Sequence, residues 1–459
     1  MPKGATICKA GGRLAIAMIA ALAAWLIAPA ASHAEALGGS HAQAQLESGG
    51  RPVATAARLE ENGDKARLVF ELSAPLDAAA FVLAGPARVI VDLPQIEFAL
   101  DPETGKPAKR AHHRRGRGKP RGLVVSFRFG QLGEGKSRIV IDLGAPARIL
   151  RATSEKSDGD GKPRLVIELT KTDRASFRAA VQSARAALTE QSHSMRGQKL
   201  EAAAGKPIVV IDPGHGGIDS GAIVNGLVEK NLVFDFAKAV KAKLEADGRF
   251  TTVMTRDDDS FVPLSERVRM AREGNAALFV SIHADTLSDA ADVAGATIYT
   301  VSDRASDKEA ARVAEKENQS DAAAGLDGTE DSGDVSDILF DLTRRETRAY
   351  SHVFARTLVN YWKVAGRLNK NPQRSAGFRV LKAPDVPSVL LELGYLSNQK
   401  DDLSLASPEW RDQASSRVAE AIEAFFSARG TGGPIPSGDK DRAPLEEIAP
   451  ATDVAHRTH

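Results

Sequence analysis

Ile208-Val209-Val210-Ile211-Asp212-Pro213-Gly214-His215-Gly216-Gly217 is the stretch on which the fold turns. The aliphatic run reads as a strand. The proline and glycines after it force a tight turn, at the end of a strand where an α/β sheet opens into its ligand crevice. His215 is presented there. Glu229 follows near the start of the next helix, and His283 ends the apolar strand Ala277-Leu278-Phe279-Val280-Ser281-Ile282. Two imidazoles and a carboxylate from separate elements make the protein-ligand set of a catalytic zinc site, with a fourth position left for water. A further strand, Pro387-Ser388-Val389-Leu390-Leu391-Glu392, delivers a carboxylate from an otherwise apolar run. If buried, Glu392 must be paired, metal-linked or raised in pKa, and near zinc-bound water it is a candidate general base.

Strands and helices alternate outward from this point. Strands are expected at Pro207–Asp212, Thr251–Thr255, Ala277–His283, Gly295–Val301, Gly377–Leu381 and Ser388–Leu393, with helices near Leu232–Leu244, Leu264–Arg272 and Trp410–Phe426 and helical stretches from about Ala305. Val233, Phe236, Val240 and Leu244 recur at three- and four-residue steps, one apolar stripe to lay on a sheet. The expected fold is an α/β catalytic domain with a central, mostly parallel sheet flanked by helices.

The half before it is different. One pattern occurs four times: Arg67-Leu68-Val69-Phe70-Glu71-Leu72, Arg88-Val89-Ile90-Val91-Asp92-Leu93, Arg138-Ile139-Val140-Ile141-Asp142-Leu143 and Arg164-Leu165-Val166-Ile167-Glu168-Leu169. Each copy reads as a strand with Arg and a carboxylate on one face, where neighbouring copies can pair charges across a sheet. Short strands with Gly, Pro and Asp between them predict an all-β, sandwich-like N-terminal domain, a binding module rather than a catalytic one. Within it, residues 106–121 carry Lys106, Lys109, Arg110, Arg114, Arg115, Arg117, Lys119 and Arg121 without an acid. That loop is either a solvated insertion or an electrostatic clamp for an anionic polymer or lipid surface. It lacks the interleaved aromatics of a single-strand binder, so nucleic acid is not an expected partner.

The 459 residues give a formal net charge of +1, with 42% hydrophobic and 26% charged residues, which excludes a wholesale disordered chain, a polytopic membrane protein and a globally basic polyanion binder. Lys3, Lys9 and Arg13 precede an apolar run from Leu14 to Ala28, and small residues lead to Ala34. This is the layout of a signal peptide, too short to span a bilayer as an anchor. Cleavage after Ala34 leaves 58 cations against 60 acids and removes Cys8, the single cysteine. Cysteine nucleophiles and cysteine-ligated zinc are thereby excluded, and no membrane span is expected in the mature chain.

Asp212-Pro213-Gly214-His215-Gly216-Gly217, Glu229-Lys230, Thr255-Arg256, Leu264 with Arg267, Ser281-Ile282-His283-Ala284-Asp285 and Pro387 to Glu392 with Ser397-Asn398 resemble the successive blocks of zinc-dependent N-acetylmuramoyl-L-alanine amidases of the cell wall. The four-strand region is similar in layout to the amidase N-terminal (AMIN) domain. The resemblance implies one zinc ion (Zn2+) per chain on His215, Glu229 and His283, Glu392 as the catalytic carboxylate, and cleavage of the amide joining N-acetylmuramic acid to L-alanine of the peptidoglycan stem. It also implies a periplasmic enzyme of daughter-cell separation or wall remodelling. Asp212 and Asp285, near the ligands in sequence, are expected to orient the imidazoles. Division-associated members carry a helix that occludes the zinc until an activator protein displaces it, and the resemblance extends through Ala305-Ser306, Glu317-Asn318 and Ile338 to Leu342. Glu317, or failing it Glu315, is the expected carboxylate on zinc's fourth position. Two alternatives remain open from the residues alone. One is a zinc carboxypeptidase or endopeptidase acting on the stem peptide, and the other is a non-catalytic wall-binding scaffold.

The expected organisation is a signal peptide at 1–34, disorder at 35–51, an AMIN-like β domain at 52–170, a linker at 171–205, the catalytic domain at 206–430 with a regulatory helical insertion at 305–345, and a disordered tail at 431–459.

Overall fold

A computed structural model describes residues 51–106, 122–133, 135–157, 159, 161–192, 205–287, 292–326 and 338–428. The expected signal peptide, most of the basic loop and the C-terminal tail lie outside the described residues.

The N-terminal region forms β1 (Val53–Asn62), β2 (Lys65–Leu72), β3 (Ala79–Leu83), β4 (Arg88–Pro94), β5 (Glu97–Phe98), β6 (Val124–Gln131), β7 (Lys136–Leu143), β8 (Ala147–Lys156) and β9 (Pro163–Lys171). They make two sheets, ordered β5-β1-β2-β9-β8 and β3-β4-β7-β6. The four repeats are β2, β4, β7 and β9, two in each sheet. Alternation sends Phe70, Val89, Val91, Ile139, Ile141 and Ile167 into the core between the sheets. The Arg and carboxylate of each repeat lie on the other face, and three pairs join neighbouring copies as expected: Arg67 with Glu168 at 3.3 Å, Arg164 with Glu71 at 3.8 Å and Arg138 with Asp92 at 2.6 Å, while Asp142 pairs with Arg128 of β6, outside the repeats, at 2.9 Å.

Helix α1 (Arg174–Ser192) starts within the segment expected to be a linker, but its Phe177 and Val181 are buried in the sandwich core, so its first half belongs to the β domain. Asp173 caps it, accepting from the amides of Ala175 and Ser176.

Beyond residue 205 come β10 (Ile208–Pro213), β11 (Ile223–Val224), β12 (Leu227–Val228), α2 (Glu229–Asp247), β13 (Thr251–Met254), α3 (Leu264–Glu273), β14 (Leu278–His283), β15 (Ala296–Val301), α4 (Lys308–Glu317), α5 (Ser320–Ala323), α6 (Ile338–Trp362), β16 (Leu368–Ala376), β17 (Ser388–Glu392), α7 (Gln399–Ala406) and α8 (Pro408–Ala428). The main sheet runs β13-β10-β14-β17-β15-β16 and is parallel except where β15 meets β17. Helices α2, α6 and α8 bury the apolar residues of one face, and α3 and α4 pack on the other.

One strand differs from expectation. Gly377–Leu381 is not a strand: Arg379–Leu381 is a 3-10 turn, and the chain pairs earlier, as β16 at Leu368–Ala376. Its sequence, Leu-Asn-Lys-Asn-Pro-Gln-Arg-Ser-Ala, carries no apolar alternation because β16 is the sheet's edge, where a proline and solvent-facing polar residues are tolerated. No described helix is long and apolar enough to cross a membrane.

Candidate active site

The turn after β10 presents His215 with φ at +58°, an unfavourable backbone for a residue with a Cβ. Two buried arginines hold it there. Arg267 donates to the carbonyl of His215 at 2.7 Å and to that of Pro213 at 2.9 Å, and Arg256 donates to the carbonyls of Pro213 and Gly214, each at 3.1 Å. Gly214 leaves room for the second imidazole, since a Cβ at that position would collide with the ring of His283.

Three elements then converge. Nε2 of His215 lies 3.1 Å from Oε1 of Glu229, the first residue of α2, and Nδ1 of His283, the last residue of β14, lies 3.5 Å from the same oxygen. The backbone orients Glu229, whose oxygens accept from the amides of Ala222 at 2.8 Å and Ala284 at 2.9 Å. A fourth donor comes from α4. Oε2 of Glu317 lies 3.1 Å from Nδ1 of His283 and 3.7 Å from Nε2 of His215. Ala310, Val313, Ala314 and Glu317 recur at helical spacing on the buried side of α4, so the apolar stripe that seats the helix ends in this carboxylate. Glu315, the other candidate, falls on the opposite side and is exposed.

The group fits a zinc ion on its own terms. Nε2 of His215 and Nδ1 of His283 are buried without a hydrogen-bond partner among the described residues, an arrangement that asks for an explanation in a folded protein. Donor atoms of His215, His283 and Glu317 all lie within 4.8 Å of one another, and Glu229 adjoins both imidazoles. Neighbouring donors about 3.3 Å apart are what bonds of roughly 2.0–2.1 Å around a four-coordinate zinc require. The electrostatics agree. Burial opposes a charged His215, yet Glu229, Asp219 and Glu317 outweigh it and carry its pKa well above the usual value. Burial likewise opposes ionised Glu229, which the two imidazoles nevertheless hold well below the ordinary carboxylate range. Carboxylates outnumber cations here, and a divalent ion restores the balance.

Glu392 ends β17 directly opposite His283 in the parallel register. Oε2 accepts from the amide of Asp285 at 3.1 Å, and Oε1 is buried with no hydrogen-bond partner among the described residues. Burial pushes its pKa up to about 8, against the pull of His283 and with the help of Glu229 and Glu317.

Two expectations are corrected. Asp212 and Asp285 do not orient the imidazoles. Asp212 is bound by Arg267 and Thr255, each at 2.6 Å, and by Ser281 at 2.6 Å, so it braces the strand ends and the turn from beneath. Asp285 accepts from the Thr286 amide and pairs with Lys316 of α4. The carboxylate that bonds Nδ1 of His215, at 2.9 Å, is Asp219, four residues on, where the chain folds back at the Gly216–Asp219 bridge. Nothing in its sequence context distinguishes Asp219 from an ordinary loop residue.

Two family descriptions match the chain: N-acetylmuramoyl-L-alanine amidase (Amidase_3) over residues 209–424 and the AMIN domain over 56–169. The amidase AmiA of Escherichia coli K12 is 36% identical over 240 residues, covering 52% of this chain and 82% of that protein. AmiC of Neisseria meningitidis serogroup B is 30% identical over 409 residues, covering 82% of this chain and 90% of its own length. Among solved structures, AmiC2 of Nostoc punctiforme is 32% identical with a TM-score of 0.35, over 49% of this chain and 99% of that one. The chain therefore belongs to the N-acetylmuramoyl-L-alanine amidase family, the peptidoglycan hydrolases, with an AMIN domain ahead of its catalytic domain.

Proposed function

We propose that this peptidoglycan amidase works with one zinc ion held by His215, Glu229 and His283, uses Glu392 as its proton carrier, and rests in a closed state with Glu317 on the metal's remaining position. The observation that carries the reading is the pair of buried imidazole nitrogens without hydrogen bonds, facing the Glu229 and Glu317 carboxylates and beside Glu392.

Zinc in this position supplies Lewis acidity toward the scissile carbonyl and the attacking water. The chain's residues do the rest. Asp219 fixes the ring of His215 so that Nε2 faces the metal position, and the Ala222 and Ala284 amides fix Glu229. Glu392, steadied by the Asp285 amide, takes the proton from water as its oxygen bonds to the lactyl carbonyl carbon. It then gives that proton to the nitrogen of L-alanine as the amide bond breaks, because an amine leaves readily only when protonated. One free carboxylate oxygen, Oε1, serves both transfers.

The position of Glu317, facing both imidazoles, supports the closed state, in which its carboxylate would keep water and substrate from the metal together. Activation then needs a protein partner that draws α4 away, as suits an enzyme of the periplasm confined to sites of daughter-cell separation or wall remodelling.

Glu392→Gln with zinc content and product analysis tests the reading. The variant is expected to retain about one zinc per chain and to lose roughly 10²–10⁴-fold in hydrolysis of purified sacculi. Wild-type products are expected to be stem peptides with a free L-alanine amine. Release of a terminal amino acid instead would establish a carboxypeptidase, and an undiminished rate in the variant would remove Glu392 from the chemistry.

A further inference from the structure

The repeated Arg-x-Ile/Val-x-Asp strands β4 and β7 have an outer face that the sandwich does not use. Alternation puts Val89, Val91, Ile139 and Ile141 in the inner core, and Arg88, Ile90, Asp92, Arg138, Val140 and Asp142 on the other side. That side meets the catalytic domain. Leu83, Ile90 and Val140 form one buried cluster with Ile218, Phe261 and Ala324. Ala324 lies just past α5, seven residues beyond Glu317.

Three guanidinium groups of this sheet converge on the carbonyls of the same short segment. Arg88 donates to Ala322, Arg128 to Ala323 at 2.6 Å, and Arg138 to Ala324 at 3.1 Å and Gly325 at 3.4 Å. Two of the forks are aimed by carboxylates of the same sheet. Asp142 holds both terminal nitrogens of Arg128, at 2.9 and 3.1 Å, and leaves Nε for Ala323. Asp92 takes Nε and one terminal nitrogen of Arg138, at 2.6 and 2.9 Å, and leaves the other for Ala324 and Gly325. Carbonyls at the end of a helical segment have spare acceptor capacity, and a pre-aimed guanidinium is the strongest neutral-partner donor available to them.

The segment between these carbonyls and Glu317 is tied at every turn. Asn318 bonds the Gly377 carbonyl at 2.9 Å, Ser320 bonds Asp219 at 3.0 Å, and Asp321 accepts from the Leu264 amide at 3.0 Å. The β domain also touches the metal-ligand loop, where the Ile218 amide donates to the Gln131 carbonyl at 3.1 Å. Gly130 permits this approach, since a Cβ there would collide with the backbone of Gly217 and Ile218.

We propose that the outer face of the four-stranded sheet is a clamp on the inhibitory segment: Arg88, Arg128 and Arg138 hold residues 322–325 and thereby keep Glu317 in the metal site, so that docking of the β domain closes the enzyme and its release opens it. The proposal rests on the reading of Glu317 as a plug, and the two are separable by experiment.

The test is basal hydrolysis of dye-labelled sacculi by the purified full chain, without activator, for wild type, Glu317→Ala, the pair Arg128→Ala/Arg138→Ala, and all three substitutions together. Losing a hydrogen bond to a charged group shifts a closed–open equilibrium by roughly tenfold or more. The arginine pair is therefore expected to raise basal hydrolysis at least about tenfold toward the Glu317→Ala level. It is expected to add nothing in the Glu317→Ala background. Hydrogen exchange of residues 308–326 is expected to quicken in the arginine pair while β10 and β14 stay protected. A rise for Glu317→Ala with none for the arginine pair overturns the clamp and leaves the plug standing. No rise for Glu317→Ala overturns the plug and the clamp with it. A rise for the pair that persists in full over Glu317→Ala also overturns the clamp, because the arginines would then act elsewhere. Should the arginine pair fail to fold, Ile90→Ala replaces it. Its side chain belongs to the interdomain cluster, so the inner sandwich core is untouched. A folded Ile90→Ala with wild-type exchange and wild-type basal rate overturns the clamp equally.

Discussion

Oε2 of Glu317 lies 3.1 Å from Nδ1 of His283, a carboxylate from α4 resting on an imidazole from β14 in a site where both side chains are buried. In the proposed closed state this contact is what holds Glu317 in the catalytic centre. Replacing Glu317 by Gln keeps its size but removes the negative charge that faces the two imidazoles. Basal hydrolysis of sacculi is expected to rise at least about tenfold. Glu315→Gln, on the exposed side of the same helix, is expected to leave it unchanged. Equal effects from the two substitutions would rule out a specific role for Glu317.

Asp219 sets the ring of His215 through a 2.9 Å hydrogen bond to Nδ1. Partners that orient a metal-binding imidazole are worth roughly 10–100-fold in metal affinity. Asp219→Asn is expected to weaken zinc binding by that factor, as read by competition with a chromophoric chelator. Asp285→Asn, which touches no imidazole, is expected to change affinity far less.

Arg267 and Asp212 form an ion pair at 2.6 Å with both side chains almost fully buried. Removing one partner of such a pair leaves an uncompensated charge and costs about 3–5 kcal/mol. Arg267→Ala also frees the carbonyls of Pro213 and His215. A fall of that order in the unfolding free energy read from urea titration is expected, with zinc lost at the same time because the turn no longer holds His215.

Asp212 also predicts how stability depends on acid. Burial would raise its pKa, but Arg267 and the hydroxyls of Ser281 and Thr255 hold it below the usual carboxylate value. A group with a depressed folded pKa contributes stability that is complete above its unfolded pKa, roughly 3.9, and is lost as pH falls through the folded value. Unfolding free energy measured from pH 5 downward is expected to fall with a steeper slope in wild type than in Asp212→Asn.

Removal of zinc is expected to abolish hydrolysis and to lower the melting temperature. An ion bound only by the folded chain stabilises it by mass action, and two buried imidazole nitrogens lose their partner without it. Calorimetry before and after chelation checks this, with re-addition of zinc restoring both the transition and the activity.

Much of this protein was legible along the chain. Strand-ending histidines, a helix-opening glutamate and a glutamate closing an apolar strand are local patterns, and each marks the place where an α/β sheet exposes side chains to its crevice. The four Arg-to-carboxylate repeats announced strands in the same local way, because period-2 alternation needs no knowledge of the partner strand. That Glu317 is buried and Glu315 exposed follows from helical spacing once the apolar stripe of α4 is read to its end. Polar β16 escaped because edge strands have little apolar pattern to read. Asp219 escaped because its duty comes from a loop folding back on itself. The meeting of Arg88, Arg128 and Arg138 with the carbonyls of residues 322–325 belongs wholly to tertiary structure. Such a contact joins residues 186 to 234 positions apart, and no local preference records it, since backbone carbonyls are the same at every residue and only the packing of the two domains decides which ones the guanidinium groups reach.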